Sequence, residues 1–144
     1  MGKIISINIS TQKGQKKHQI DSAVFKENHG ITGDAHAGDW HRQVSLLAVE
    51  SVDKMRGRGV ELHPGDFAEN LTIKGIDLKN LKIGQQLKIA SEIILEITQI
   101  GKECHNGCAI KQQVGDCVMP REGVFARVIK GGEIITGDQI KVEI

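Results

Sequence analysis

Short runs of branched apolar residues that recur near a period of two, separated by glycine, constrain this chain most. Alternation of this kind places apolar side chains on one face of a β-strand. The 17 glycines and only 2 prolines favour many tight turns between short strands. The sequence therefore predicts a mostly β fold. The clearest strand segments follow residue 62: ENLTIKG, GQQLKIA, IILEITQIG, VFARVIKGG and GDQIKVEI.

Two of these segments resemble each other, IGQQLKI at residues 83–89 and TGDQIKV at residues 136–142. In each, a glycine turn precedes an alternating strand whose lysine faces away from its apolar neighbours. This similarity predicts two equivalent strand starts in one sheet or barrel.

The first 43 residues alternate between strand and loop character. Isoleucines in residues 4–9 predict a first strand, and residues 20–25 predict another. Residues 11–17 are polar and basic, which predicts an exposed loop or hairpin tip. The segment GITGDAHAGDWHRQ, residues 30–43, is too polar to be core and is predicted to be a loop.

One helix is predicted, over residues 44–56. Apolar residues recur there at spacings of three and four, which gives a helix one apolar face. Gly57 and Gly59 are expected to end it. The residues of that face are Val44, Leu47, Ala48, Val52 and Met55.

The 144 residues are expected to form a single domain, 1–144, because no linker or low-complexity segment divides them. A formal charge of +1, from 19 basic and 18 acidic residues, argues against a general nucleic-acid binder. No apolar run reaches the roughly 20 residues of a membrane helix, and the N-terminus lacks a signal peptide's apolar core. We expect a cytoplasmic protein with neither nucleic acid nor a membrane as partner.

Three cysteines, Cys104, Cys108 and Cys117, lie close together in the sequence. An odd number in one short stretch does not indicate a disulfide framework. Cys104 follows a strand-like run, where a side chain can reach a ligand, and Lys102 and His105 beside it favour the reactive thiolate. Two alternatives remain: small buried residues, or a zinc site that includes His105, although the spacing matches no usual zinc ribbon.

The polar loop offers a possible anion site. Gly30 and Gly33 permit positive φ angles and close backbone approach, and N–H groups in such loops can hold phosphate oxygens. Arg42 could add a charge-assisted pair of hydrogen bonds. His36 and His41 could instead ligate a metal, or simply be solvated.

A third candidate is Arg121, which follows Pro120 in a predicted turn before a strand. It could hold an anion or pair with Glu122. Because no G-x-S-x-G, HExxH or Walker A motif and no paired carboxylates occur, hydrolase chemistry has no support.

The order of seven segments, spread over about residues 4–142, resembles the MOSC family, the domains named for the C-terminus of molybdenum cofactor sulfurase. The resemblance implies a compact β-barrel with a few short helices. It also implies that Cys104 carries sulfur or meets the cofactor. The segments are GITGDAH, RQVSLLAVES, PGDFAENLTIKGIDL, IGQQLKI, GKECH, PREGVFARVIKGG and TGDQIKV.

The resemblance further implies a molybdenum cofactor (molybdopterin) in a cleft between the loop at residues 30–36 and the Cys104 stretch. Cys104 is the expected catalytic thiol and a candidate molybdenum ligand. Larger family members carry an N-terminal β-barrel extension or a pyridoxal-phosphate domain, and neither is expected here. The residues expected to bind the cofactor are Gly30, Gly33, Asp34, His36, Arg42, Glu69, Asn70, Lys102 and Arg121.

The favoured function is a sulfur carrier. A donor such as a cysteine desulfurase would supply sulfur, and a molybdoenzyme or a cofactor biosynthesis protein would receive it. A molybdenum-dependent reductase of N-hydroxylated compounds is the alternative, with a partner supplying electrons because no flavin or iron–sulfur motif is present. A non-catalytic docking module is the third possibility.

Overall fold

The computed structural model describes residues 2–12, 17–56, 65, 67, 69–90, 92–101 and 123–143. None of the helices in these ranges has the length and apolar character needed to cross a membrane. One α-helix, α1 (Val49–Arg56), and one 3₁₀ turn (Leu78–Asn80) accompany the strands within the ranges. The strands are β1 (Gly2–Ile9), β2 (His18–Ile20), β3 (Ser22–Lys26), β4 (Gly30–Ile31), β5 (Val44–Ala48), β6 (Leu71–Lys74), β7 (Gln86–Ile89), β8 (Ile93–Ile100), β9 (Val124–Lys130), β10 (Gly132–Ile135) and β11 (Gln139–Glu143).

Seven strands close into a barrel in the order β11-β7-β8-β9-β5-β6-β1. The pairing of β1 with β11 joins the two ends of this sheet, with Gly2 opposite Ile140. Neighbouring strands are antiparallel except for β5 and β6, which are parallel. Strand β2 forms a hairpin with residues 7–9 of β1, whereas β11 pairs with the beginning of β1 at residues 2 and 3. The barrel confirms the prediction of a mostly β fold with little helix.

A smaller sheet, in the order β10-β3-β4, packs against the barrel. Its inward side chains, Phe25, Ile31 and Ile134, are buried in the same apolar cluster as the barrel interior. Burial of each such side chain contributes about 1.5–3 kcal/mol, so both sheets are stabilised by one core. Val24, on the opposite face of β3, is exposed, as the alternation of a strand requires.

The two similar segments found in the sequence do occupy one sheet. Strands β7 and β11 pair directly, with Ile89 opposite Ile140 and Lys88 opposite Lys141. The two lysines face outward, where the carboxylate of Glu143 lies 3.8 Å from the first and 4.0 Å from the second. This shared acidic neighbour offsets the repulsion between two like charges on adjacent strands.

The predicted helix over residues 44–56 is wrong in its first half, where the chain forms β5. This strand lies between β9 and β6, and all five of its residues are buried. Leu46 and Leu47 point to opposite faces of the sheet, and both are apolar and buried. A strand buried on both faces lacks the polar alternation that distinguishes strand from helix in a sequence. The second half is helical, as α1, and Gly57 and Gly59 lie outside the described residues.

We predict that Gly30→Ala lowers the free energy of unfolding clearly more than Gly33→Ala. Both glycines have positive φ, +121° and +90°, so each substitution brings a backbone penalty of about 1–2 kcal/mol. An added Cβ at Gly30 would also stand 2.7 Å from the carbonyl oxygen of Gln43, whereas the position at Gly33 is open. Crowding of this kind costs about 1–3 kcal/mol more. Urea denaturation measures both variants, and equal losses would contradict the prediction.

Candidate functional site

A buried ion pair holds the polar loop that follows β4. Lys17 Nζ lies 2.6 Å from Asp34 Oδ1, and both side chains are completely buried. The backbone N–H of Ser10, just past β1, donates to the same carboxylate. Burial raises the pKa of Asp34, but the Lys17 ammonium and these hydrogen bonds outweigh it and keep the pKa below its ordinary 3.8. Asp34 is thus a carboxylate that ties the loop to the end of β1.

The burial of Lys17 corrects the prediction that residues 11–17 form an exposed loop. Thr11 and Gln12 are exposed, and residues 13–16 lie outside the described residues. The backbone N–H of Lys17 donates to the carbonyl of Gly65 at 2.8 Å, which directs the chain inward at this point. A lysine is rarely buried unless it is paired, and Asp34 provides the pairing here.

His36 lies at the outer side of this ion pair. Its Nδ1 is 3.0 Å from Lys17 Nζ, and its ring is parallel to the Trp40 indole with centroids 6.4 Å apart. The Trp40 indole N–H donates to the carbonyl of His36 at 2.7 Å. The His36 side chain keeps 18% of its surface exposed, so this ring can reach a ligand from solvent.

Arg42 also lies near Trp40. Its guanidinium lies 5.9 Å from the Trp40 ring centroid and 5.4 Å from that of Phe125 on β9. Arg42 Nε donates to Gln99 Oε1 at 3.1 Å, and a ring nitrogen of His41 contacts the same oxygen at 2.9 Å. The paired aromatic faces and Gln99 hold the guanidinium in one place, which lowers the entropy lost when it binds an anion.

Gln99 connects this arginine to the end of β8. Its side-chain amide donates to the carbonyl of Gly101 at 2.8 Å, while its oxygen accepts from Arg42. The register between β8 and β9 shifts between Ile97 and Gln99. Bulges of this kind reorient side chains at the rims of barrels, and this one lies where Gln99 reaches the loop.

We call His36, Trp40 and Arg42 the ring–cation surface. It combines an indole, a guanidinium and an imidazole, all partly exposed. A planar ring can stack on indole, and a guanidinium can bind phosphate through two parallel hydrogen bonds. The arrangement is therefore suited to a flat ligand that carries an anionic group.

The sequence predicted that backbone N–H groups of the loop at residues 30–36 could bind an anion, and the structure shows most of them already bonded within the protein. Side chains are therefore left to bind an anion. Gly30 is part of β4, and Gly33 is exposed at an open turn. The N–H groups engaged in this way belong to Thr32, Asp34, Ala35, His36, Ala37 and Gly38.

Asn70, one of the residues expected to border the pocket, is completely buried. Its Oδ1 accepts from the backbone N–H of Ser45 at 2.9 Å, and its Nδ2 donates to the carbonyl of Asn8 at 3.1 Å. Asn70 therefore links the starts of β5 and β6 to the end of β1, and its side chain serves the backbone rather than an exposed ligand.

Glu69 is also completely buried, at the start of β6. The hydroxyl of Thr72 donates to Oε2 at 2.9 Å, whereas Oε1 has no hydrogen-bond partner among the described residues. Burial raises the pKa of this carboxyl from 4.5 to about 7, and the Thr72 hydroxyl and nearby peptide N–H groups only partly oppose the rise. The folded protein therefore favours the protonated form of this carboxyl up to about neutral pH.

The remaining expected site residues lie outside the described residues: Cys104, Lys102 and Arg121. The cleft between the loop and the Cys104 stretch stays a prediction, as does the choice among the three cysteines. Two residues separate Gly101, the partner of Gln99, from Cys104 in the sequence. Among the residues that are described, no group of three or more His, Cys, Asp or Glu side chains could hold a metal ion.

Three residues of the site were not identified from the sequence: Lys17, Trp40 and Gln99. Trp40 had a signal, because it is the single tryptophan of the chain and lies in a polar loop. No feature of the sequence pointed to Lys17 or Gln99, since each acts through a partner far away in the sequence.

Comparison with known proteins gives a family match over most of the chain. The sequence model of the MOSC domain matches residues 32–141. A protein named "Reductase" from Gibberella moniliformis is 26% identical over 155 residues, an alignment that covers 91% of this chain. The chain spans only 27% of the length of that relative.

Solved structures share the fold. The YUAD protein from Bacillus subtilis superimposes with a TM-score of 0.82 at 23% identity, covering 99% of this chain and 96% of that protein. YiiM from Geobacillus stearothermophilus gives a TM-score of 0.72 at 18% identity, covering 100% of this chain and 76% of that protein. YiiM from Escherichia coli gives 0.72 at 16% identity, covering 100% and 70%.

We predict that stability falls as pH rises from about 4.5 to 7 and that Glu69→Gln removes most of this decline. In the unfolded chain Glu69 loses its proton near 4.5, but in the folded chain only near 7, so the folded state loses its advantage across that window. The shift corresponds to about 3 kcal/mol. Asp34, with a lowered pKa, affects stability only at more acidic pH.

Urea denaturation of the parent and the variant at several pH values tests this expectation. Glu96→Gln is the matched control, because Glu96 lies on the barrel surface beside Arg127. The control should keep the slope of the parent. A parent profile that is flat between about pH 4.5 and 7 would contradict the raised pKa of Glu69.

Proposed function

Since the chain belongs to the MOSC domain family, which is associated with the molybdenum cofactor, we propose that it binds this cofactor at the ring–cation surface. The observation that carries the proposal is the position of Arg42, which contacts two aromatic rings and donates a hydrogen bond to Gln99 at the end of β8. From this strand end the chain continues to Cys104. The same end of the barrel would thus provide a cation for the cofactor and a thiol for its chemistry.

The chemistry of the side chains fits the group. A pterin is a planar ring, for which Trp40 offers a stacking face, and its phosphate matches the donors of Arg42 and His36. When bound, the cofactor would supply the molybdenum centre. The protein would bind the phosphate, orient the ring and shield it from water. Lys102 and Arg121 stay expected phosphate ligands on the ground of the family resemblance.

For the finer function we propose a sulfur carrier. The Cys104 thiolate would attack the terminal sulfur of a persulfide on a donor such as a cysteine desulfurase. A new S–S bond forms on Cys104 while the donor thiolate leaves, so no further oxidant is needed. The recipient would be a molybdoenzyme or a cofactor biosynthesis protein. Lys102 and His105, adjacent in sequence, favour the thiolate.

The second candidate is a molybdenum-dependent reductase of N-hydroxylated compounds. It is favoured by the name of the relative from Gibberella moniliformis, whose alignment covers most of this chain. A partner would have to supply the electrons. Analysis of metal and pterin in protein purified from a cofactor-producing host separates the functions. Copurified molybdenum with turnover supports the reductase, and persulfide without turnover supports the carrier. The absence of both results supports a docking module.

We predict that Arg42→Gln weakens cofactor binding by roughly tenfold to a hundredfold, because a charge-assisted hydrogen bond contributes about 1.5–3 kcal/mol. The measurement is molybdopterin bound per protein, together with thermal unfolding to confirm the fold. Arg127→Gln is the control, since this arginine lies on the outer face of β9 in a half-exposed pair with Glu96. Equal losses in both variants would contradict a specific role for Arg42.

We predict that Cys104→Ser abolishes sulfur loading, whereas Cys108→Ser and Cys117→Ser keep most of it. The neighbours of Cys108 are apolar and Asp116 adjoins Cys117, and both contexts disfavour a thiolate. Persulfide labelling and mass spectrometry after incubation with a cysteine desulfurase compare the three variants. If Cys104→Ser loads fully while another variant loses its loading, the functional thiol is the cysteine that was replaced in that other variant. Partial losses in all three, with stoichiometric zinc, would favour a metal site instead.

A further inference from the structure

The buried ammonium of Lys17 determines what the His36 ring can do. Three acceptors among the described residues lie within hydrogen-bond distance of its Nζ: Asp34 Oδ1 at 2.6 Å, His36 Nδ1 at 3.0 Å and Ser10 Oγ at 3.4 Å. An ammonium has three N–H donors and no lone pair. Because Lys17 is the donor in each contact, His36 Nδ1 has to present its lone pair and cannot carry a proton.

A neutral imidazole carries one proton, so the ring proton of His36 lies on Nε2. Asp34 would otherwise favour the opposite tautomer, since its Oδ2 lies only 3.9 Å from His36 Nδ1 and a carboxylate attracts an N–H donor. Lys17 prevents this by neutralising Asp34 and by donating to Nδ1 itself. The tautomer is therefore set in the interior of the protein.

We propose that Lys17 is a positioning residue that fixes His36 as the Nε2–H tautomer, so that His36 recognises an oxyanion and does not ligate a metal. Both His36 and Arg42 lie against Trp40, so the ring–cation surface presents two kinds of donor around one aromatic face. The ligand class is a phosphate or a similar oxyanion. Its identification with the phosphate of the cofactor rests on the proposed function, whereas the tautomer does not.

Long-range ¹H–¹⁵N correlation spectra of the labelled protein test the tautomer directly, because protonated and bare ring nitrogens have well-separated ¹⁵N shifts. The signals of His36 are those lost in His36→Gln. The parent should show a proton on Nε2 only. Lys17→Met should move protonation to Nδ1, because Asp34 is then left as the neighbour of that nitrogen. His41, which contacts Gln99 instead, is the internal control and should not change.

Two results would overturn the proposal: a parent His36 protonated on Nδ1, or a Lys17→Met spectrum identical to that of the parent. Lys17→Met leaves Asp34 buried without its cation, which strongly destabilises the fold. The double variant Lys17→Met/Asp34→Leu removes both charges and covers the case in which the single variant does not fold. Its ring nitrogens should move to intermediate shifts, as expected for a mixture of tautomers. A pure Nε2–H tautomer in this variant would overturn the proposal equally.

Titration with inorganic phosphate tests the ligand class. Phosphate should shift the Nε2 signal of His36 and the Nε signal of Arg42, and Lys17→Met should weaken the response roughly tenfold, the effect of losing about one hydrogen bond. Loss of the Nε2 proton of His36 on addition of Zn²⁺ would overturn the proposal.

These results are distinguishable from a failure of the proposed function. If the protein binds no molybdopterin but His36 is the Nε2–H tautomer and responds to phosphate, the proposed function fails and the role of Lys17 stands. If molybdopterin binds while His36 carries its proton on Nδ1, the role of Lys17 fails alone.

Discussion

The pairing of β1 with β11 closes the barrel, and the rest of the structure depends on this closure. The first strand of the described chain meets the last, so no barrel strand is left with an open edge. On its other side, β1 lies close to the end of β6, where a Cβ at Gly2 would stand 2.7 Å from Ile76 and 2.8 Å from the carbonyl of Lys74. A closed barrel cannot shift one strand without moving its neighbours, which gives the loops around β5 and β8 a rigid base.

On this base, the ion pair of Lys17 and Asp34 determines where the polar loop lies. Removing two charges from water is costly, and attraction between them does not always compensate for the cost. The role of such a pair is better understood as specificity: the buried ammonium of Lys17 holds Asp34, and with it the loop, in one position on the barrel. The positions of His36 and Trp40 depend on this anchoring.

The two candidate functions need the same binding surface and differ in the chemistry after the cofactor is bound. A carrier requires a thiol that exchanges sulfur, whereas a reductase requires a substrate and an external source of electrons. The proposed binding at the ring–cation surface would serve both functions, because stacking and phosphate recognition are independent of the reaction.

Residue alternation was sufficient to predict β7, β8 and β11, in which buried and more exposed residues alternate along most of the strand. Strands β6 and β9 were predicted from the same pattern, although the first three residues of each are buried. It was not sufficient for β5, since burial on both faces removes the alternation. Arg42 and His36 were predicted from their chemistry. Lys17 and Gln99 were not, because a polar residue in a polar segment gives no sign of its burial or its partner. The sequence by itself determined most of the strands and the family, which depend on local pattern. Only the tertiary structure decided that Lys17 meets Asp34, 17 residues away, and that Arg42 meets Gln99, 57 residues away, because such contacts exist only after the barrel has closed.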